Sequence, residues 1–244
     1  MKDRRNEKES RYMIRCLCTI LYLFCILNLA GISVNTHKVY DNRSNAVNEV
    51  SGMIEEQKMT KKKIAITFDD GPSEACTGRL LDGLKERQVK ASFFVLGQNV
   101  DNYPELAKRI VQEGHLIGNH TYDHVELSKT DDVKAKEELK KASDAIFKAT
   151  GTYPEYMRPP YGECRRKLED SVDMLLVRWS IDPRDWDTGN TDEIVKKVVT
   201  SVGENDIILL HDCYDSSVDA ALKIIDILEK EGYEFVTVDE LYNP

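Results

Sequence analysis

Cysteine is scarce where a covalent or metal-binding framework would need it. Of six cysteines, Cys16, Cys18 and Cys25 fall inside one apolar run, where they behave as small hydrophobes. Cys76, Cys164 and Cys213 remain, with no close pair among them, so no disulfide framework or CxxC zinc motif can be read. Each is expected to be a structural thiol. Basic charge is also in deficit: 34 Lys and Arg stand against 43 Asp and Glu, a formal net charge of −9. No basic run interleaved with aromatics occurs, which argues against a nucleic-acid partner, because such proteins cluster Lys and Arg against phosphates. Nor is there a G-x-S-x-G elbow or a P-loop, so serine hydrolysis and phosphoryl transfer lack a motif. Repeats and low-complexity blocks are missing as well. What remains is a chain of 244 residues and 41% hydrophobic content, enough for one large domain plus accessory segments.

One long uncharged stretch stands out. Residues 16–34, CLCTILYLFCILNLAGISV, approach the roughly 20 residues that a helix needs to cross a bilayer. Lys2, Arg4, Arg5, Lys8, Arg11 and Arg15 precede it, partly offset by Asp3, Glu7 and Glu9. That excess of positive charge places residues 1–15 in the cytoplasm and everything after Val34 outside it, on a single-pass anchor. The alternative is a cleaved signal sequence, with Gly31 and Ser33 as a weak cleavage site, and then a secreted protein. A buried core helix fits poorly, since the stretch is apolar on every face. Residues 35–60 are polar with few large apolar side chains and read as a linker, His37 included.

From residue 61 to 244 the pattern is that of a folded domain. Short apolar runs at Ile64–Phe68, Ala91–Leu96, Leu116–Gly118, Tyr156–Arg158, Leu175–Ser180, Ile207–Leu210 and Phe235–Val238 read as strands. Between them, Thr77–Gln88, Pro104–Glu113, Asp131–Thr150, Arg165–Asp173, Thr191–Val202 and Ser217–Glu231 read as helices. Pro104 suits a first turn, Thr191 before Asp192 and Glu193 is a possible cap, and Gly114, Gly151 and Gly232 follow helix ends. Strands alternating with helices imply right-handed βαβ units and a mostly parallel α/β sheet. Seven strands could close an incomplete barrel or stay open as a wound sheet, and periodicity does not choose.

Polar clusters sit at the C-terminal ends of these strands: Asp69-Asp70 after the first, His120 to His124 after the third, Arg158 to Gly162 after the fourth, Asp182 to Trp186 after the fifth, His211-Asp212 after the sixth. Parallel α/β folds build their active sites on that edge. Spaced i, i+4, His120 and His124 can face the same way on a helical turn as neighbours about 5–6 Å apart. Two imidazoles and a carboxylate bind a divalent metal and leave positions open for water and substrate. Asp69 and Asp70 offer that carboxylate and a second one free to act as general base. Arg158 can orient the base, because a guanidinium can hold a carboxylate bidentately. His211 supplies an acid near neutral pH, its imidazolium stabilised by Asp185. Metal, base and acid together describe hydrolysis of a carbonyl compound. His115 reads as structural and Trp179 as core, whereas Trp186 could wall a pocket. A two-His, one-carboxylate iron oxygenase gives no role to the second Asp or to His211.

These motifs resemble those of the polysaccharide deacetylases, the NodB-homology domain of carbohydrate esterase family four. TFDDGP, H-T-x-x-H, R-P-P-Y, D-x-x-D-W and L-x-H occur in the family's order across residues 61–244. The resemblance implies a distorted seven-stranded (β/α) barrel that uses Zn²⁺, with Co²⁺ or another divalent ion as a substitute. It implies Asp69 as general base and Asp70, His120 and His124 as metal ligands. Arg158 would hold Asp69, and the backbone N–H of Tyr161 would help stabilise the oxyanion. His211, tuned by Asp185, would protonate the leaving amine, while Trp186 and Leu209 would pack around the acetyl methyl. Thr121 stands where Ser is commoner. The implied substrate is an N-acetylated glycan, peptidoglycan or chitin-like, with peptidoglycan favoured by the expected tether outside a membrane. O-deacetylation of a xylan-type polysaccharide and a catalytically idle glycan-binding module are the alternatives.

Overall fold

Apolar runs and amphipathic stretches fold as successive β–α units along residues 62–242, the residues that the computed structural model describes. The expected membrane segment at 16–34, the tail before it and the linker at 35–60 lie outside the described residues. Among the described residues no helix is long and apolar enough to cross a membrane.

Seven strands, all paired in parallel, carry the fold: β1 (Lys62–Asp69), β2 (Ser92–Val95), β3 (Leu116–Asn119), β4 (Tyr156–Met157), β5 (Leu175–Leu176), β6 (Ile207–His211) and β7 (Tyr233–Phe235). Their order is β5-β4-β3-β2-β1-β6, with β7 pairing β1. β1 forks its outer edge, Lys62–Ile64 pairing with β7 and Ala65–Asp69 with β6. The upper register sets Asp69 opposite His211. Six consecutive residues of β1 are buried, as expected of a parallel strand covered on both faces.

The helices are α1 (Thr77–Arg87), α2 (Gly97–Asn102), α3 (Pro104–Gln112), α4 (Asp132–Thr150), α5 (Arg166–Glu169), α6 (Thr191–Val199), α7 (Asp215–Lys230) and α8 (Val238–Tyr242). Asp131 caps α4 by accepting from the backbone N–H of Val133 and Lys134, satisfying donors that have no partner inside the helix. Gly151 closes the same helix at φ 79°, a left-handed value at which glycine has no Cβ penalty.

The open question of closure has a specific answer. β5 is only two residues long, because the chain after it leaves β4 and turns towards β6. Ser180 and Ile181 then donate N–H to the Ile207 carbonyl at 3.0 and 3.2 Å, and Leu209 N–H donates to Ile181 at 2.9 Å. A parallel bridge between Ile181 and Ile208 therefore ties the far end of the sheet back to β6. This arrangement is consistent with a distorted, incompletely closed (β/α) barrel. The core fills the space between strands and helices, with Phe68, Phe93, Leu80, Leu84, Ile224 and Ile225 buried in one cluster.

Several boundaries differ from the expectations. The seventh strand forms earlier, at Tyr233–Phe235, and Val238 opens α8 instead of ending that strand. The helix expected over Arg165–Asp173 shrinks to Arg166–Glu169. The cap of α6 is Asn190, whose side chain accepts from Asp192 and Glu193 N–H, and Thr191 is already inside the helix. α2 was not expected at all.

Candidate active site

The residues that end the strands converge on a cleft of about 410 Å³ at the C-terminal edge of the sheet. Asp69, the last residue of β1, is buried. Asp70 follows at φ 73°, a left-handed value that a non-glycine residue adopts only when its surroundings hold it there. That turn separates two adjacent carboxylates: Asp69 is held by Arg158, and Asp70 faces the histidines.

His120 and His124 converge for a different reason from the expected helical turn. The chain between them is a loop bent at Tyr122 and Asp123, with Thr121 at φ 67° and His124 at φ 56°. Their ring centroids are nevertheless 5.1 Å apart. The loop is held from α4, where Glu138 Oε2 accepts from the backbone N–H of Tyr122 and Asp123 at 3.2 and 2.9 Å.

One ligand atom each from Asp70, His120 and His124 lies within 4.8 Å of the others. Asp70 Oδ1 is 3.4 Å from the Nε2 of both histidines, and it is buried with no hydrogen-bond partner among the described residues. His120 Nδ1 lies 2.6 Å from the Arg158 carbonyl, so that nitrogen carries the proton and Nε2 keeps its lone pair. Burial works to raise Asp70, but the imidazoles of His120, His124 and His211 hold its carboxyl below the usual range. Burial pushes the His124 imidazole down, towards the neutral form that binds metals. An orphaned buried carboxylate oxygen between two such nitrogens fits a small divalent cation.

Arg158 is completely buried. Its contact to Asp69 is a single hydrogen bond, Nη1 to Oδ1 at 2.8 Å, and not the bidentate fork expected. The same Nη1 donates to Thr67 Oγ1 at 2.7 Å, while Nε and Nη2 donate to the carbonyls of Val177 and Arg178, each at 3.3 Å. Its guanidinium also lies 4.1 Å from the Phe94 ring and 5.6 Å from the Trp179 ring. Burial lowers its pKa, and Asp69 opposes that.

Across the cleft, Asp185 accepts from His211 twice: Oδ1 is 2.8 Å from Nδ1 and Oδ2 is 2.8 Å from the backbone nitrogen. The first contact fixes the ring and leaves Nε2 free to exchange a proton. Burial works to lower His211, but the Asp185 hydrogen bond and charge, helped by Asp69 and Asp70, raise it to about 9. A histidine whose folded pKa exceeds its unfolded value near 6.5 contributes stability fully below pH 6.5 and loses it as pH rises to about 9. Metal-free protein should therefore lose about 3 kcal/mol across that window by urea unfolding. In Asp185→Asn that slope should flatten; an unchanged slope would refute the assignment.

Trp186 (48% exposed) and Tyr161 (66%) line the cleft together with buried Leu209. Tyr161 sits at φ 61° with its ring edge-on to His124 at 5.0 Å. Trp179, expected in the core, is half-buried and forms cleft wall as well as core. Sequence reading missed Tyr214, an exposed cleft residue three positions after His211, and gave no role to Asp182, which opens the D-x-x-D-W motif and also lines the cleft. Asp212, directly after His211, belongs to the strand-end cluster read there but was given no role. That carboxyl is fully buried, accepts from Thr77 Oγ1 at 2.5 Å, and is pushed up to about 7 by burial. Asp212 also leaves no room for a side chain at Gly71, which explains the glycine after the acidic pair. His115 is buried, with Nδ1 accepting from Ala91 N–H at 3.2 Å, which fits the structural role expected. Cys76, Cys164 and Cys213 are free thiols.

A family model for polysaccharide deacetylase matches residues 56–177. The chain is similar to the peptidoglycan-N-acetylglucosamine deacetylase PgdA of Listeria monocytogenes, 38% identical over 216 residues, which are 88% of this chain and 45% of that protein. It is also similar to the peptidoglycan-N-acetylmuramic acid deacetylase PdaC of Bacillus subtilis, at 41% identity over 74% of this chain and 39% of that protein. The chain thus spans less than half the length of these two curated relatives. The solved structure of PdaC aligns with a TM-score of 0.74 at 40% identity, covering 75% of this chain and 91% of that one. A family 4 acetyl xylan esterase from Clostridium thermocellum, solved with a cobalt ion, aligns at 0.70 and 35% identity, over 75% of this chain and 91% of that one.

Proposed function

The chain belongs to the polysaccharide deacetylase family, and from that premise we propose that it is a metal-dependent hydrolase removing N-acetyl groups from the amino sugars of bacterial peptidoglycan. The observation that carries the reading is the division of labour between two adjacent carboxylates. Asp70 faces two imidazoles and Asp69 faces a buried guanidinium, with His211 on the neighbouring strand held by Asp185. Support for the substrate comes from the names of the relatives, which specify peptidoglycan in both PgdA and PdaC.

We assign Asp70, His120 and His124 as the ligands of a divalent cation, zinc by preference. When bound, that ion supplies Lewis-acid polarisation of the acetyl carbonyl and makes a water acidic enough to attack at neutral pH. Asp69, oriented by Arg158, takes a proton from the attacking water. The Tyr161 backbone N–H stabilises the oxyanion that develops on the substrate. Protonated His211 gives its Nε2 proton to the departing amine while Asp185 holds the ring. Trp186 and Leu209 form the apolar seat for the acetyl methyl. The catalytic unit works outside the cytoplasm, carried there by the uncharged stretch at 16–34.

Purified protein should release acetate from N-acetylated peptidoglycan or chitooligosaccharide, fall to background with a chelator, and recover on addition of Zn²⁺ or Co²⁺. No acetate from several glycans, with metal bound, would refute the proposal and favour an idle glycan-binding module. The likeness to the acetyl xylan esterase supports a second reading, ester cleavage on a xylan-type polysaccharide. Comparing acetate release from acetylated xylan and from the amide substrates separates the two.

A further inference from the structure

We propose that Asn99, together with the backbone of Leu96 to Gln98, is a positioning element that clamps the two metal-bearing loops into one geometry. The proposal rests on the assignment of Asp70, His120 and His124 as ligands.

These loops come from different strands, and each is held in an unfavourable conformation. Asp70 has φ 73°, Thr121 φ 67° and His124 φ 56°; side chains with a Cβ leave that region unless the surrounding structure over-determines it. The short segment between β2 and α3 contacts both loops. On one side, Asn99 Nδ2 donates to the backbone carbonyl of Asp70 itself at 2.7 Å, and Leu96 N–H donates to the Gly71 carbonyl at 3.0 Å. On the other, the N–H groups of Gly97 and Gln98 donate to the carbonyls of Thr121 and Tyr122 at 3.0 and 3.2 Å. Four hydrogen bonds from four consecutive residues thus span the two halves of the triad. Gly97 permits the approach, since a Cβ there would meet the Tyr122 ring and the Ala142 backbone.

None of these four residues lines the cleft. Three of the four contacts use backbone N–H groups and are insensitive to side-chain identity. Asn99 is the exception, and its amide is the only side-chain group among them that reaches a ligand residue. Carbonyl and donor meet at the left-handed turn that parts Asp70 from Asp69. Losing that donor frees the turn to relax and misaligns Asp70 with His120 and His124. Groups that orient metal ligands in this way typically affect metal affinity 10–100-fold.

The test is calorimetric titration of metal-free protein with Zn²⁺, using wild type, His120→Ala, Asn99→Asp and Asn102→Asp. Asn99→Asp keeps the shape but replaces the donor with an oxygen facing the Asp70 carbonyl. Asn102 is exposed on the same helix and controls for added charge. Expected are an affinity loss of about tenfold or more in Asn99→Asp, wild-type affinity in Asn102→Asp, and acetate release in Asn99→Asp that recovers with excess Zn²⁺. The unfolding midpoint of the metal-free protein should stay close to wild type, which separates positioning from general destabilisation. Wild-type affinity in Asn99→Asp overturns the clamp while leaving the triad assignment intact. A wild type whose Zn²⁺ binding is unaffected by His120→Ala overturns the triad assignment instead. Should Asn99→Asp fail to fold, Asn99→Ser, whose hydroxyl is too short to reach the carbonyl, carries the same comparison.

Discussion

Asp69→Asn is expected to slow acetate release by about 10²–10⁴-fold, the usual contribution of a positioned general base, while leaving divalent-metal affinity nearly unchanged. The expectation follows from how the two carboxylates are held. Asp69 accepts from Arg158 Nη1 through Oδ1, and the amide oxygen of Asn can accept the same bond, so the buried guanidinium keeps a partner. What is lost is the negative charge and basicity needed to take a proton from water. Asp70, the residue assigned to the metal, is untouched. Turnover within a fewfold of wild type, measured with metal bound, would remove Asp69 from the role of base.

Arg158→Met is expected to destabilise the fold by about 3–5 kcal/mol, the range found when one member of a buried ion pair is deleted. The guanidinium is fully buried and serves four acceptors: the Asp69 carboxylate, the Thr67 hydroxyl, and the carbonyls of Val177 and Arg178. Methionine fills much of the volume but leaves a buried carboxylate without its cation. Arg158→Lys should recover only part of the loss, because a single ammonium cannot present donors in the planar fork that reaches acceptors on two sides. Urea unfolding of metal-free protein gives both values. A loss below 1 kcal/mol in Arg158→Met would mean that the buried Arg158–Asp69 contact does not hold the fold together.

Much of the site was legible because its residues interrupt apolar strands at the same end. Asp69, Asp70, Arg158 and His211 each follow a run of buried residues, and a parallel sheet brings such positions to one edge without further information. The pairing of Asp185 with His211 was legible for the same reason. The means by which His120 and His124 converge was not. An i, i+4 spacing suits a helix, yet the loop achieves proximity through left-handed Thr121 and His124, which carry none of the glycine signal that marks such turns. α2 escaped notice because GQNVDN lacks an apolar period and begins with glycine; it forms through hydrogen bonds to Thr121 and Tyr122, which are distant in sequence. Closure of the sheet was equally hidden, since it depends on one bridge at Ile181 and not on a strand with its own pattern. Trp179 was assigned to the core by its neighbours, although one ring can face both core and cleft.

Asp69 and His211 face each other as register partners on β1 and β6. The backbones that carry the proposed base and the proposed acid are therefore tied together by a hydrogen-bonded ladder, whose neighbouring strands run about 4.8 Å apart. Tyr161, Trp186 and Tyr214, which line the cleft, stand on connections beyond the strands, as do His124 and Asp185. A single-residue slip between β1 and β6 would part the proposed base from the proposed acid and should end catalysis on every substrate alike, whichever loops form the rim.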